Sequence, residues 1–121
     1  MGSLISKKPI VSFDYIDINK EIILINTLDV NMQECLIINT TDMNHEETII
    51  NSLDKNKSIV IYGKNCRDIK PYNKYNQLKK FGFNNVFIYN GGLFEWLLLQ
   101  EVFGEDNFQT TNQPKDILIY K

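Results

Sequence analysis

Uninterrupted apolar runs set the frame of this chain. Residues 21–26 (EIILIN), 59–62 (IVIY) and 86–89 (VFIY) show little alternation of apolar and polar positions, so each reads as a strand covered on both faces, the pattern of a parallel sheet. Residues 10–13 and Leu36-Ile37-Ile38 are shorter runs of the same kind, and together the runs predict a central, mostly parallel sheet of about five strands. Helical spacing fills the intervals. Over 42–53, Asp42, His45, Glu46 and Glu47 come first and Ile49, Ile50 and Leu53 follow, which suits a helix whose amino end favours negative charge. Over 71–81, Tyr72, Tyr75, Leu78 and Phe81 form one apolar stripe. Pro71 fits a first turn, where its missing N–H would have had no partner, and Gly82 fits the position just past the end. Residues 14–18 suit a helical turn capped by Asp14, and the polar stretch 27–34 reads as a loop.

The last helix, 93–103, carries its polar residues Glu95, Gln100 and Glu101 in scattered directions, so it is expected to be covered nearly all round. Gly104 stops it. The tail Ile117-Leu118-Ile119-Tyr120 is an available cover, as an added strand or packed on the helix, and a second copy of the chain, a homodimer, is another. Strands alternating with helices at these intervals give an α/β domain of three layers, with helices on both faces of the sheet.

At 121 residues the chain has room for one core. The expectation is one domain over 1–121, with a core over 10–103 and a C-terminal extension, 104–121, packing on it. Met1-Gly2-Ser3 are left out of this reading as foreign to the fold. A composition 43% hydrophobic and 23% charged is that of a soluble globular domain. No apolar run is long enough to span a bilayer, so no membrane partner and a cytoplasmic location are expected. A net charge of −2 with dispersed lysines gives no electrostatic reason for a nucleic-acid partner. Cys35 and Cys66 make no disulfide framework and lack C-x-x-C spacing, so both read as free thiols, and neither metal nor other cofactor is expected.

The chemistry-bearing stretch is Gly63-Lys64-Asn65-Cys66-Arg67-Asp68. It leaves the carboxyl end of a buried strand and enters a helix, and backbone N–H groups exposed at such a point hold an anion or a thiolate. Three pieces around it occur in order: Ile59-Val60-Ile61-Tyr62 with this loop, Leu78 with Phe81-Gly82-Phe83-Asn84-Asn85-Val86, and Gly91-Gly92-Leu93-Phe94-Glu95-Trp96. These resemble a rhodanese (sulfurtransferase-like) domain, whose patterns L-x-x-x-G-F-x-N-V and G-G-x-x-x-W the last two pieces match, and the resemblance covers roughly residues 10–96. It implies a three-layer rhodanese-like fold. It also implies a loop whose first residue is a cysteine that accepts sulfur as a persulfide and passes it to a thiophilic acceptor such as cyanide or a thiol.

Against that pattern the chain departs at the site. Gly63 stands where the resemblance places the nucleophile, and a glycine cannot carry sulfur. Cys66 comes three residues late, where the family usually has glycine, and Arg67 one residue earlier than in C-x-x-G-x-R. The upstream L-I-D-V-R pattern corresponds to Leu24-Ile25-Asn26-Thr27-Leu28, without its aspartate and arginine, and Cys35 replaces the histidine of G-H-I-P-G-A. Cys66 reads either as an inert loop thiol or as a displaced nucleophile beside Lys64 and Arg67. Those two cations read either as solvated charges or as anion ligands. His45, the single histidine, reads as a solvated surface residue, Cys35 as core packing and Trp96 as a packing residue beneath the loop. The expected function is a non-catalytic rhodanese-like module with a protein or small sulfur-containing anion as partner. The alternative is a thiosulfate or persulfide sulfurtransferase using Cys66, with Arg67 as its anion partner.

Overall fold

The computed structural model describes residues 9–18, 21–114 and 116–121; Met1-Gly2-Ser3 lie outside them. Four strands form the sheet: β1 (Ile10–Val11), β2 (Ile23–Asn26), β3 (Ile59–Tyr62) and β4 (Val86–Tyr89). They lie in the order β1-β4-β3-β2, all neighbours parallel, with Ile59 opposite both Ile23 and Val86. The helices are α1 (Phe13–Ile18), α2 (Glu46–Ser52), α3 (Lys70–Lys80) and α4 (Gly92–Phe103), with short 3-10 turns at Val30–Met32 and Ile117–Tyr120.

Side-chain alternation along the strands sorts the core into two halves. Leu24, Val60 and Tyr62 pack on one face with Leu93, Trp96 and Leu97 of α4, Phe108 and Tyr120, and Phe13, Tyr15 and Ile16 of α1 lie against that cluster. Ile25, Ile59 and Ile61 pack on the other face with Ile50 of α2, Leu78 of α3 and Phe83. Helices therefore cover both faces, and the three-layer α/β architecture stands.

The fifth strand expected at Leu36-Ile37-Ile38 does not form. The chain turns there instead of extending: Thr40 N–H donates to Ile37 O at 3.1 Å and Asn39 adopts φ 69°, a left-handed conformation that asparagine tolerates better than most residues. Ile37 N–H is spent on a side chain, Tyr62 Oη, at 3.1 Å. Only isolated single-residue bridges remain, Leu24 to Thr40 and Ile37 to Thr110. Residues 42–45 likewise form a turn before α2, with His45 N–H donating to Asp42 O at 2.9 Å and Asn44 N–H to the Asp42 carboxylate at 2.9 Å. The expected cap Asp14 lies inside α1, bonded to the Ser12 hydroxyl.

Helix α4 is covered on one side rather than all round. Leu93, Trp96, Leu97 and Gln100 are buried, while Leu98, Val102 and Phe103 are exposed. The cover is the segment after Gly104, which crosses that side: Trp96 Nε1 donates to Gln109 O at 3.1 Å, and Gln100 Nε2 donates to Phe108 O at 2.8 Å and Thr110 Oγ1 at 3.1 Å. The Phe108 ring meets Trp96 edge-on with centroids 5.1 Å apart. Residues 117–120 form a helical turn against α4, not an added strand.

Because Phe108 sits in the core and Val102 does not, their truncations should differ sharply. Phe108→Ala should cost about 3–5 kcal/mol of stability through lost burial and the cavity left behind, whereas Val102→Ala should stay within about 0.5 kcal/mol. Urea denaturation midpoints at unchanged slope would measure both; equal shifts would contradict the placement of the segment after Gly104 in the core.

Candidate functional site

The loop between β3 and α3 stands at the carboxyl edge of the sheet, beside the amino end of α4. Every residue of β3 is buried, as is Gly63 after it, so the chain first meets solvent at Lys64. From there, backbone groups divide by direction. The carbonyls of Gly63 and Lys64 accept from Leu93 N–H and Phe94 N–H, both at 2.9 Å, and so satisfy orphan donors of the first turn of α4. That approach is possible because residue 92 is glycine: with φ +68°, a Cβ there would lie 2.8 Å from Gly63 O and 2.9 Å from Asn65 N.

Two N–H groups, that of Lys64 in the loop and that of Lys70 at the start of α3, face Asp68. Lys64 N–H donates to Asp68 Oδ2 and Lys70 N–H to Asp68 Oδ1, each at 3.0 Å. A Cβ built on Gly63 would overlap Asp68 Oδ2 and come within 2.8 Å of Pro71 Cγ. The space that a nucleophile's side chain would take at residue 63 is thus filled by a carboxylate of the same loop. Asp68 also stands at the arginine position of the C-x-x-G-x-R register, so the charge there has changed sign. Asn65 completes the loop, with its Oδ1 accepting from Arg67 N–H at 2.9 Å and its Nδ2 donating to Tyr120 O at 2.9 Å.

Cys66 and Arg67 are exposed in the turn, away from these convergent N–H groups. Among the described residues neither side chain makes a hydrogen bond or ion pair. The loop brings Gly63, Lys64 and Asp68 together and leaves Cys66 and Arg67 at its rim. Two lysines of the adjoining helix α3 are paired with carboxylates. Lys70 Nζ pairs with Asp29, which holds the Asp29 carboxyl below the usual carboxylate range, with Lys64 adding to the effect, and raises the Lys70 ammonium above its own. An adjoining cleft of about 560 Å³ is lined by Asn26, Lys70, Asn73, Lys74 and Gln77 among others, and Lys74 there pairs with Glu46 at 2.6 Å.

Two polar clusters buttress the edge. Asn26, buried at the end of β2, exchanges hydrogen bonds with Gln33: Gln33 Nε2 donates to Asn26 Oδ1 at 2.7 Å and Asn26 Nδ2 to Gln33 Oε1 at 3.1 Å, while Leu28 N–H adds a third at 3.0 Å. Neutral amides here replace the charged pair of the L-I-D-V-R pattern. The Tyr62 hydroxyl accepts from Ile37 N–H and lies 2.8 Å from Thr40 Oγ1, which in turn donates to Ile37 O at 2.6 Å. Burial pushes the Tyr62 hydroxyl's pKa well up, so it stays neutral.

The remaining candidates are structural in placement. Trp96 is 1% exposed, wedged between Tyr89 and Phe108, and the His45 side chain is 71% exposed. Cys35 is buried, its thiol donating to Asn112 O at 3.1 Å and raised in pKa by desolvation. Among the described residues no group of three or more His, Cys, Asp or Glu is placed to hold a metal ion, and no helix is long and apolar enough to cross a membrane. Sequence reasoning missed Asp68 as the occupant of the loop and Gln33 as the partner of Asn26. A signal existed for each: an acid at an arginine position, and a polar residue ending an otherwise apolar strand.

A parallel sheet with helices on both faces, whose carboxyl edge carries a loop cradled on the next helix, is the three-layer class to which sulfurtransferase-like domains belong. The chain belongs to the rhodanese-like domain family, whose model matches residues 17–99, well over half of its length. Solved structures share the fold. One is the Alr3790 protein of Anabaena sp., with 20% identity over 78% of this chain and 88% of that one at a TM-score of 0.61. Another is the BH2092 protein of Bacillus halodurans, with 20% identity over 78% and 72% at a TM-score of 0.62. The rhodanese-like domain of Alr3790 in solution matches with 18% identity over 91% and 89% at a TM-score of 0.59. Among curated protein sequences no significant match is found.

Two outcomes follow from this geometry. Gly63→Ala should cost about 1–3 kcal/mol by overpacking against Asp68 and Pro71. Part of that cost should vanish in Gly63→Ala/Asp68→Gly, with a coupling of at least about 0.5 kcal/mol in the double-mutant cycle; strict additivity would contradict the contact. Separately, a thiol-specific chromogenic reagent should titrate Cys66 at once and Cys35 only on unfolding, because reactivity requires access. Two equally fast thiols would contradict the burial of Cys35.

Proposed function

We propose that this chain is a rhodanese-like binding or regulatory module that does not transfer sulfur. The observation that carries the reading is the Asp68 carboxylate at Gly63, where it accepts the N–H groups of Lys64 and Lys70. A persulfide sulfur is an anion stabilised by convergent N–H donors. Here the first residue offers no atom to bear it, and two of the donors already hold a fixed negative charge. A second anion in the same place would meet that carboxylate at close range, where like charges repel strongly in partly buried surroundings. The reading is of a cytoplasmic domain that acts through its surface on a protein partner.

The alternative reading, a sulfurtransferase acting through Cys66, rests on the exposure of that thiol beside Arg67. An assay of sulfur transfer from thiosulfate to cyanide separates the two. The unmodified protein should form thiocyanate no faster than the uncatalysed background, and Cys66→Ser should change nothing. Gly63→Cys should remain inactive as well, because Asp68 and Pro71 occupy the space its side chain needs. Robust turnover that Cys66→Ser abolishes would overturn the proposal and make Cys66 the nucleophile.

A further inference from the structure

A second cleft, of about 480 Å³, opens on the face of the domain where the C-terminal turn meets the segment 31–35. Its walls include Met32, Glu34, Cys35, Asn112, Ile119 and Tyr120. They are knitted together by backbone and side-chain hydrogen bonds that cross from one segment to the other. Leu36 N–H donates to Thr111 Oγ1 at 3.1 Å, Thr111 N–H to Leu36 O at 2.8 Å and Asn112 Nδ2 to Glu34 O at 2.9 Å. The cleft is therefore preformed, and its size falls in the range of small-molecule sites.

One group in it is left over. Tyr120 is 3% exposed, yet among the described residues its hydroxyl has no hydrogen-bond partner, whereas no fully buried side-chain oxygen or nitrogen among them lacks one. The hydroxyl is thus the part of Tyr120 that meets open space, and a nearly buried tyrosine oxygen without a partner calls for one. No hydrogen bond joins it to Cys35, whose thiol donates to Asn112 O at 3.1 Å. Burial, with the sulfur of Cys35 and the Glu34 carboxylate nearby, keeps the Tyr120 hydroxyl neutral. Glu34 is the one formal charge among the lining residues, and Met32, Pro114 and Ile119 supply apolar wall.

We propose that this cleft binds a small amphiphilic ammonium compound. Its cation would pair with Glu34, its N–H would donate to the Tyr120 hydroxyl, and its hydrocarbon body would lie against Met32 and Ile119. The cleft is lined by no residue of the β3–α3 loop, which meets it only through Asn65 Nδ2 at the Tyr120 carbonyl, so the proposal stands or falls independently of whether that loop transfers sulfur.

Titration of the full chain, followed by NMR, tests it with three probes of one shape: phenethylamine, 2-phenylethanol and 3-phenylpropionate. Phenethylamine should bind saturably and shift the signals of Glu34, Cys35 and Tyr120. The alcohol should bind about tenfold more weakly, the equivalent of about 1.4 kcal/mol, and the carboxylate not at all. Tyr120→Phe, which keeps the buried ring, should weaken phenethylamine about fivefold or more, and Glu34→Gln, at an exposed position, should erase the preference for amine over alcohol. Equal binding of all three probes, absence of saturable binding, or affinities that both substitutions leave unchanged would overturn the assignment.

Discussion

Strand β3 has no residue in contact with water, and that single constraint decides where polarity is allowed in the molecule. Ile59, Val60, Ile61 and Tyr62 are each 0% exposed, enclosed by strands at both edges and helices on both faces. Nothing charged can be placed along the strand without a large desolvation cost. Polar groups are therefore confined to its carboxyl end, where the chain first reaches the surface. Tyr62 marks the border: its ring is core, and its hydroxyl reaches across to tie the 37–40 turn to the sheet edge. That tie replaces a fifth strand, because Ile37 N–H bonds to a side chain and takes no part in a backbone ladder.

Immediately beyond Tyr62 the loop solves a second problem, that of satisfying many backbone groups in a small space. The carbonyls of Gly63 and Lys64 go to the amino end of α4, the N–H groups of Lys64 and Lys70 go to Asp68, and those of Arg67 and Asp68 go to Asn65, so the loop ties α3 to α4. In an anion-binding loop the second half of that arrangement would be supplied by the ligand. Here it is supplied from within. The C-terminal turn is bound into the same structure through Asn65 and Tyr120 O, which places the 117–120 segment within the support of the loop as well as over α4.

The fold was legible in the sequence because burial on both faces leaves a plain trace: three continuous apolar runs, each followed by a helix, although α2 starts four residues later than its acidic residues suggest. Pro71 and Gly82 mark the limits of α3 to within a residue or two, and Gly82 does take φ +95°. What escaped were features in which a side chain does the work of backbone, and the extent to which the tail covers α4. Leu36-Ile37-Ile38 has the composition of a strand, but the Tyr62 hydroxyl diverts it. Helix α4 has the composition of a fully enclosed helix, yet the tail covers one side and leaves Leu98 and Val102 outside. At the site, glycine at position 63 was visible directly. The carboxylate beside it was not, since only the folded loop brings residue 68 onto residue 63.

That contact changes how the departures from the family pattern should be understood. Taken singly, residue 63 lacks the side chain, and residue 68 the positive charge, that the family pattern has at those positions. Taken together they are complementary in both volume and charge. The glycine removes the side chain whose space the carboxylate then occupies, and the carboxylate accepts the N–H groups of Lys64 and Lys70. Each residue is tolerable because of the other. A cysteine at 63 would clash with Asp68. An arginine at 68 would provide no acceptor, and the Lys64 and Lys70 N–H groups would need water or a bound anion in its place. The loop is in this sense a closed unit, with the space beside residue 63 filled by a carboxylate of the loop itself.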